Sequence, residues 1–93
     1  MSATIRVEPS GPGRFQVTVR ECGSQSTHVV SLSPGYYEIL TGKQVPEKLL
    51  IERSFQFLLE RESKESILRK FDLPVIGHYF PDYEHEIRRR LAP

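Results

Sequence analysis

The sequence predicts an α+β fold, with an N-terminal three-stranded antiparallel sheet followed by four or five short helices packed on one face. Polar and apolar residues alternate as far as residue 32, which is typical of half-buried strands. After residue 45 the apolar residues recur at helical spacing. The chain has 93 residues, so we expect one domain, with the sheet in 1–32 and the helical layer in 33–93. Prolines lie where helices would begin, at Pro34, Pro46, Pro74 and Pro81.

Three segments have the period-two pattern of strands. Residues 4–8 and 15–20 alternate, and the segment 9–13 between them holds two prolines and two glycines, which predicts a turn and therefore a hairpin. After a polar turn at 23–26, residues 27–32 predict a third antiparallel strand. Such a sheet needs a cover over its apolar face. The side chains that we expect on this face are Ile5, Val7, Phe15, Val17, Val19, His28, Val30 and Leu32.

The helical layer is predicted to begin with a short helix over 34–41. Ser33 is typical of an N-cap, and Gly42 is typical of a helix C-terminus. Pro46 then opens a central helix that extends to about residue 61. Apolar residues cover well over half of its circumference, and a helix of this kind is buried on more than one side. We therefore expect it to lie between the sheet and the later helices.

Three shorter helices are predicted after the central one. Ser63 would cap a helix over 64–71, and Asp72 would cap another over 74–80. The last helix would follow Pro81. Its apolar residues recur every four positions, which is typical of one buried helix face: Tyr83, Ile87 and Leu91.

Composition excludes several classes of protein. The chain carries 13 basic and 12 acidic residues, a net charge of +1, and so lacks the basic excess of a typical DNA-binding domain. Its single cysteine, Cys22, excludes an intramolecular disulfide and favours a reducing compartment. No segment approaches the ~20 apolar residues of a membrane span, and the N-terminus lacks the pattern of a secretion signal. We therefore expect a cytoplasmic protein without a membrane partner.

Residues 57–87 contain three distinctive pieces, FLLERE, ILRKFDL and YFPDYE. In these pieces the chain resembles a group of short uncharacterised bacterial proteins. The resemblance covers about a third of the chain. It implies a bacterial cytosolic origin and a shared fold, and it carries no activity, ligand or site residue.

No stretch matches a catalytic, phosphate or dinucleotide motif. Cys22 and His28 lie on opposite sides of the polar turn, and together they are the nearest approach to a nucleophile with its base. Arg20 is the only cation close to the thiol in sequence, whereas a reactive cysteine needs an electropositive setting. An inert thiol at a strand end explains Cys22 more simply, and we expect no enzymatic activity.

One cluster carries residue types that bind metals: His78, Asp82, His85 and Glu86. These side chains would lie near one helix face only if the helix continued through Pro81, and a proline in a helix interior removes a hydrogen bond and clashes with the preceding turn. Their spacing also fits no zinc or non-haem iron site. We expect polar surface positions here, with no metal and no cofactor.

A nucleic-acid-associated regulator is one alternative. Residues 66–80 can be arranged as a helix-turn-helix whose second helix offers His78 to a base edge. That helix lacks the Arg, Asn or Gln side chains that usually read bases. Cations near a helix C-terminus also interact favourably with the helix dipole, which explains the arginine run without a ligand. The basic residues that would contact phosphates are Arg69, Lys70, Arg88, Arg89 and Arg90.

The aromatic residues favour a different function. Five phenylalanines and four tyrosines exceed what a small sheet and short helices can fully bury, and exposed aromatic side chains mark interfaces. We therefore predict a non-enzymatic protein–protein interaction module, with self-association into a homodimer as one form of it. The predicted contact patch consists of Tyr36, Tyr37, Tyr79 and Tyr83.

Overall fold

The computed structural model describes residues 3–92, which form an α+β domain with four strands and four α-helices. One 3₁₀ turn, at Lys64–Ser66, precedes the fourth strand. The elements follow the chain in the order β1 (Thr4–Gly11), β2 (Arg14–Glu21), β3 (Ser24–Ser31), α1 (Pro34–Thr41), α2 (Glu47–Leu59), β4 (Lys70–Asp72), α3 (Val75–Tyr79) and α4 (Tyr83–Leu91).

The sheet has the order β1-β2-β3-β4. The first three strands are antiparallel, as predicted, and two tight turns set their register. Cys22 and Gly23 join β2 to β3 with φ angles of 51° and 79°. Positive φ at both central residues is the requirement of a type I′ hairpin turn, whose twist matches that of the strands. This register places His28 opposite Val17, on the same face as the apolar residues.

The fourth strand corrects the prediction of a three-stranded sheet. β4 pairs in parallel with β3, with Phe71 opposite Val30. The backbone N–H of Val29 donates to Arg69 at 2.7 Å, and that of Leu73 donates to Ser31 at 2.9 Å. These bonds to a distant strand replace the local ones of the predicted helix over 64–71, which is absent. Phe71 is buried, with 9% of its surface exposed. One buried position is compatible with a short strand as well as with a helix, so it does not distinguish the two.

The inner face of the sheet is covered by α2, which also contacts α4. The central position predicted for this helix is confirmed, since Leu50, Ile51 and Phe55 are fully buried. Ser54, also fully buried, joins α2 to α4 by a 2.7 Å hydrogen bond to the hydroxyl of Tyr83. The alternating strands leave their other side chains on the uncovered face, so the helices lie on one side of the sheet.

The remaining helices agree only partly with their predicted ends. Ser33 caps α1 by accepting from the Tyr36 N–H, and Gly42 ends that helix with a φ of 60°. Ser63 makes no side-chain cap bond. Asp72 belongs to β4 and accepts a hydrogen bond from Ser31, so α3 begins after the next proline without an Asp cap. Among the described residues, no helix has both the length and the apolar character needed to cross a membrane.

Candidate binding groove

An apolar groove of about 240 Å³ opens beside β4, the strand at one edge of the sheet. Its walls are the C-terminal part of α2, the segment 62–68 and α3. Apolar side chains from these walls and from β4 line it, among them Leu58, Ile67, Leu68, Phe71, Val75 and Tyr79.

The groove exists because a short stretch of chain is anchored at both of its ends. Ile67 is 5% exposed and Ile76 is 2% exposed, so the residues before and after β4 both reach the core. Between them, the pairing of β4 with β3 holds the backbone at the sheet edge. α3 then places Val75 and Tyr79 four positions apart on one helix face, over the open space.

The rim of the groove carries unusually exposed apolar side chains. Leu68 is 46% exposed and Tyr79 is 66% exposed. In the described part of the chain only one other large apolar residue is exposed to this degree, Ile39 at 65% on α1. A single exposed apolar residue is ordinary, whereas two at the rim of an apolar groove are typical of a binding site.

Glu62 is the one charged residue among the described residues that line the groove. Its backbone N–H donates to Leu58 at 2.9 Å, which continues the last turn of α2 and places residue 62 at the groove wall. Burial raises the pKa of Glu62 above its usual range, because a low-dielectric setting disfavours the charged form. The groove therefore combines apolar walls with one acid that is partly withdrawn from solvent.

Two of the four tyrosines predicted for the contact patch are held by structural hydrogen bonds. The Tyr36 hydroxyl donates to Glu84 at 2.9 Å, and the Tyr37 hydroxyl donates to the backbone carbonyl of Val45 at 2.6 Å. Both side chains are partly buried. Burial and the hydrogen bond to Glu84 raise the pKa of Tyr36. Tyr36 therefore connects α1 to α4, and Tyr37 connects α1 to the loop that follows it.

The other two tyrosines lie in opposite settings. Tyr83 is fully buried under α2, with its pKa raised by that burial, whereas Tyr79 is exposed at the groove. The structure therefore does not bring the four tyrosines together in one patch. Tyr79 alone is an exposed aromatic side chain beside an apolar groove.

Residues 66–80 do not form a helix-turn-helix. The expected first helix is replaced by a 3₁₀ turn and β4, and α3 has only five residues. Arg69, Lys70 and His78 are exposed around this segment. They are consequently not displayed by the helix pair that would insert one helix into a DNA groove.

The C-terminal arginines are engaged within the protein. Arg90 donates to both oxygens of Glu60, at 2.6 and 2.9 Å, and Arg89 donates to both oxygens of Glu86, at 2.8 and 3.3 Å. Arg88 donates to a backbone carbonyl of α1 at 3.3 Å. Arg88 and Arg90 thus connect α4 to its neighbours, whereas Arg89 bonds within α4. These bonds add to the interaction of the run with the helix dipole.

Cys22 and His28 do not form a nucleophile–base pair. The His28 Nδ1 donates to the Leu68 carbonyl at 2.8 Å, so its Nε2 accepts from the Ser26 hydroxyl, also at 2.8 Å. Burial lowers the pKa of His28, against the opposing effect of the Leu68 carbonyl. Both ring nitrogens are therefore occupied, while Cys22 is exposed at the hairpin turn.

The cluster of metal-binding residue types after residue 77 is divided by Pro81. Asp82 forms an ion pair with Arg61 at 2.6 Å, and Glu86 pairs with Arg89. Within residues 3–92, no three His, Cys, Asp or Glu side chains are arranged so that they could hold a metal ion.

Sequence reasoning identified only Tyr79 among the groove residues. Leu68 was placed inside the predicted helix over 64–71, and Glu62 was not predicted as a site residue. One signal was present in the sequence. Glu62 follows Leu58 by four positions, so in a continued helix this acid would lie on the same face as an apolar residue. Comparison with protein-family models, with curated proteins and with solved structures finds no match to this chain.

Proposed function

We propose that this protein is a non-enzymatic protein-interaction module and that it binds its partner in the groove beside β4. The observation that carries the proposal is the exposure of Leu68 and Tyr79 at the rim of an apolar groove. Covering apolar surface is favourable by about 25 cal/mol per Å², and a tyrosine beside a pocket is a typical binding hot spot.

The size of the groove favours a protein side chain over a cofactor. Pockets for drug-sized ligands typically enclose about 300–1,000 Å³, and this groove encloses about 240 Å³. A partner that inserts one or two apolar side chains would fill it, while the exposed ring of Tyr79 would cover the inserted group.

The competing functions have less support. An enzymatic role would need a positioned base, and both nitrogens of His28 are already bonded. The nucleic-acid alternative relied on the segment 66–80 and on the arginine run, and these arginines bond to groups of the protein itself. Arg69 and Lys70 are exposed cations, but they lie beside an apolar groove and not along a basic stripe.

A pull-down with three immobilised proteins tests this function. Each protein is incubated with a lysate of the cells that naturally express it. The first is the wild type, the second carries Leu68→Ser with Tyr79→Ser, and the third carries Ile39→Ser. Ile39 is as exposed as Tyr79 but lies on α1, so its variant controls for the loss of an exposed apolar side chain.

We expect a protein that is retained by the wild type and by Ile39→Ser, and that is lost from the double variant. Calorimetry with that purified protein should then show the same order of affinities. A double variant that retains the same proteins as the wild type would show that the groove is not the contact site.

A further inference from the structure

Glu62 differs from the acids around it because its charge has no partner. Glu60, two residues earlier, receives two bonds from Arg90, and Glu65 is bonded by Lys64 at 2.6 Å. The side chain of Glu62 makes no hydrogen bond or ion pair with any residue of the described range 3–92. Desolvation is the influence that shifts its pKa, with no contribution from a nearby cation.

The position of this acid is unfavourable for the folded chain in two respects. It follows the C-terminus of α2, where the helix dipole is negative and repels an anion. It also lies at an apolar wall, where an ionised carboxylate loses hydration. An acid that lies in an apolar cleft and has a perturbed pKa is a candidate for a functional site.

The neighbouring cations are directed elsewhere. The guanidinium of Arg61 lies 3.8 Å from the ring centroid of Phe57 and bonds Asp82 at 2.6 Å. The ammonium of Lys64 bonds Glu65 at 2.6 Å. Arg69 and Lys70 are exposed beside the groove, but within the described residues neither they nor Arg61 and Lys64 form an ion pair with Glu62. The carboxylate is therefore available to a cation of a partner.

We propose that the groove recognises a segment of a partner protein that inserts an apolar side chain and places a lysine or arginine against Glu62. This inference rests on the proposed function and adds the chemistry of the partner. The apolar walls match the inserted side chain, and the acid matches the adjoining cation, so the two features select together for an amphipathic basic segment. A carboxylate in an apolar setting binds such a cation more strongly than one in water does.

Two 12-residue peptides, acetylated at the N-terminus and amidated at the C-terminus, test this chemistry. They share one arrangement of apolar and polar positions at helical spacing. Both carry leucine at the same positions, and the polar positions are lysine in one peptide and glutamate in the other. Each is titrated into ¹⁵N-labelled protein, and the amide signals of residues 58–80 report binding. The proteins are the wild type, Glu62→Gln and Glu38→Gln. Glu38 is an exposed acid on α1, so its variant changes the net charge equally, away from the groove.

We expect the lysine peptide to bind the wild type and Glu38→Gln about tenfold more tightly than the glutamate peptide, as one charge-assisted hydrogen bond allows. Glu62→Gln should lose most of this preference while still binding through the apolar walls. Equal affinity of both peptides for the wild type would overturn the inference and leave the proposed groove function standing. Signals that do not move with either peptide would contradict both.

A second copy of the chain is the other occupant that the same spectra detect. Ile39 is the exposed apolar side chain on α1, so it is the group that a second copy would insert. If the signals of residues 58–80 shift with protein concentration alone, and Ile39→Ser abolishes that shift, the groove binds a neighbouring copy. That result would overturn the assignment of the groove to a separate basic partner.

Discussion

Adjacent residues in the C-terminal half of α2 lie on two sides of the helix, and the environments of these two sides are opposite in character. Phe57 faces α4, where its ring packs against Tyr83 at 5.4 Å between centroids and is covered by Arg61. Leu58 faces the groove, whose rim carries exposed apolar side chains and whose acid has no partner within residues 3–92. On the first side the surrounding charges are paired within the protein. The contrast indicates that the first side holds the fold together, and it supports the proposal that the second side binds a partner.

Truncating one ring on each side gives the largest expected effect. Phe57→Ala should lower the free energy of unfolding by about 4 kcal/mol, the typical cost of deleting a buried aromatic ring. Tyr79→Ala should change it by less than about 0.5 kcal/mol, because surface substitutions are usually within that range. Urea unfolding followed by circular dichroism measures both. Similar losses for the two variants would contradict the division into a structural and a binding side.

The hydrogen bond between α2 and α4 gives the next effect. The Ser54 hydroxyl donates to Leu50 at 2.8 Å, so the buried Tyr83 hydroxyl donates to Ser54. Ser54→Ala should cost about 2 kcal/mol, because it leaves a buried donor unpaired. Tyr83→Phe should cost about 1 kcal/mol, since it removes the donor itself. Urea unfolding gives the order, and a larger loss for Tyr83→Phe would show that the hydroxyl of Tyr83 has another role.

The pH dependence of the free energy of unfolding tests the role of His28, which joins the sheet to the groove wall at Leu68. Its folded pKa lies below the ordinary value of 6.5, so the unfolded chain takes up the proton first as the pH falls. The stability due to neutral His28 is complete above pH 6.5 and is lost as the pH falls from there through the folded pKa. Urea unfolding at several pH values should show this loss in the wild type and its absence in His28→Gln. Parallel pH profiles would contradict the assignment.

The two acids at the end of α2 give the smallest effect and the only expected gain. Glu62→Gln should raise the free energy of unfolding by about 0.5 kcal/mol, because it removes an anion from the negative end of a helix dipole. Glu60→Gln should lower it, because Glu60 is bonded to Arg90. Thermal unfolding at neutral pH compares the two variants, and a destabilised Glu62→Gln would show that the protein itself supplies a partner for this carboxylate.

Much of the fold follows from local patterns. β1, β2 and β3 were predicted because alternation within 4–8, 15–20 and 27–32 and glycine-containing turns are local signals. The observed β1 and β3 extend into the segments 9–13 and 23–26, which were predicted as turns. α1 and α2 were predicted for a similar reason, through Ser33, Gly42 and the wide apolar arc after Pro46. β4 was not predicted, because three residues with one buried side chain carry no period and gain their hydrogen bonds from a strand far away in sequence.

The candidate site was less predictable than the fold, because it depends on which apolar residues remain uncovered. Spacing indicates that Leu68 and Tyr79 are apolar positions, but it does not show that Leu68 stays at a rim while Ile67 enters the core. Tyr83 shows the converse case, since it was assigned both to a buried helix face and to the contact patch, and it is fully buried. Only the packing of β4 and α3 distinguishes these cases.

The parallel pairing of β4 with β3 also has a kinetic consequence. Hairpins among the first three strands close short loops, whereas β4 reaches β3 only after α1 and α2 have been placed between them. Contacts that are so distant along the chain form late and slow the folding of a domain. We therefore expect the wall beside β4 to be among the last parts to assemble, so that the groove proposed for recognition would form only when nearly all of the sequence has been organised.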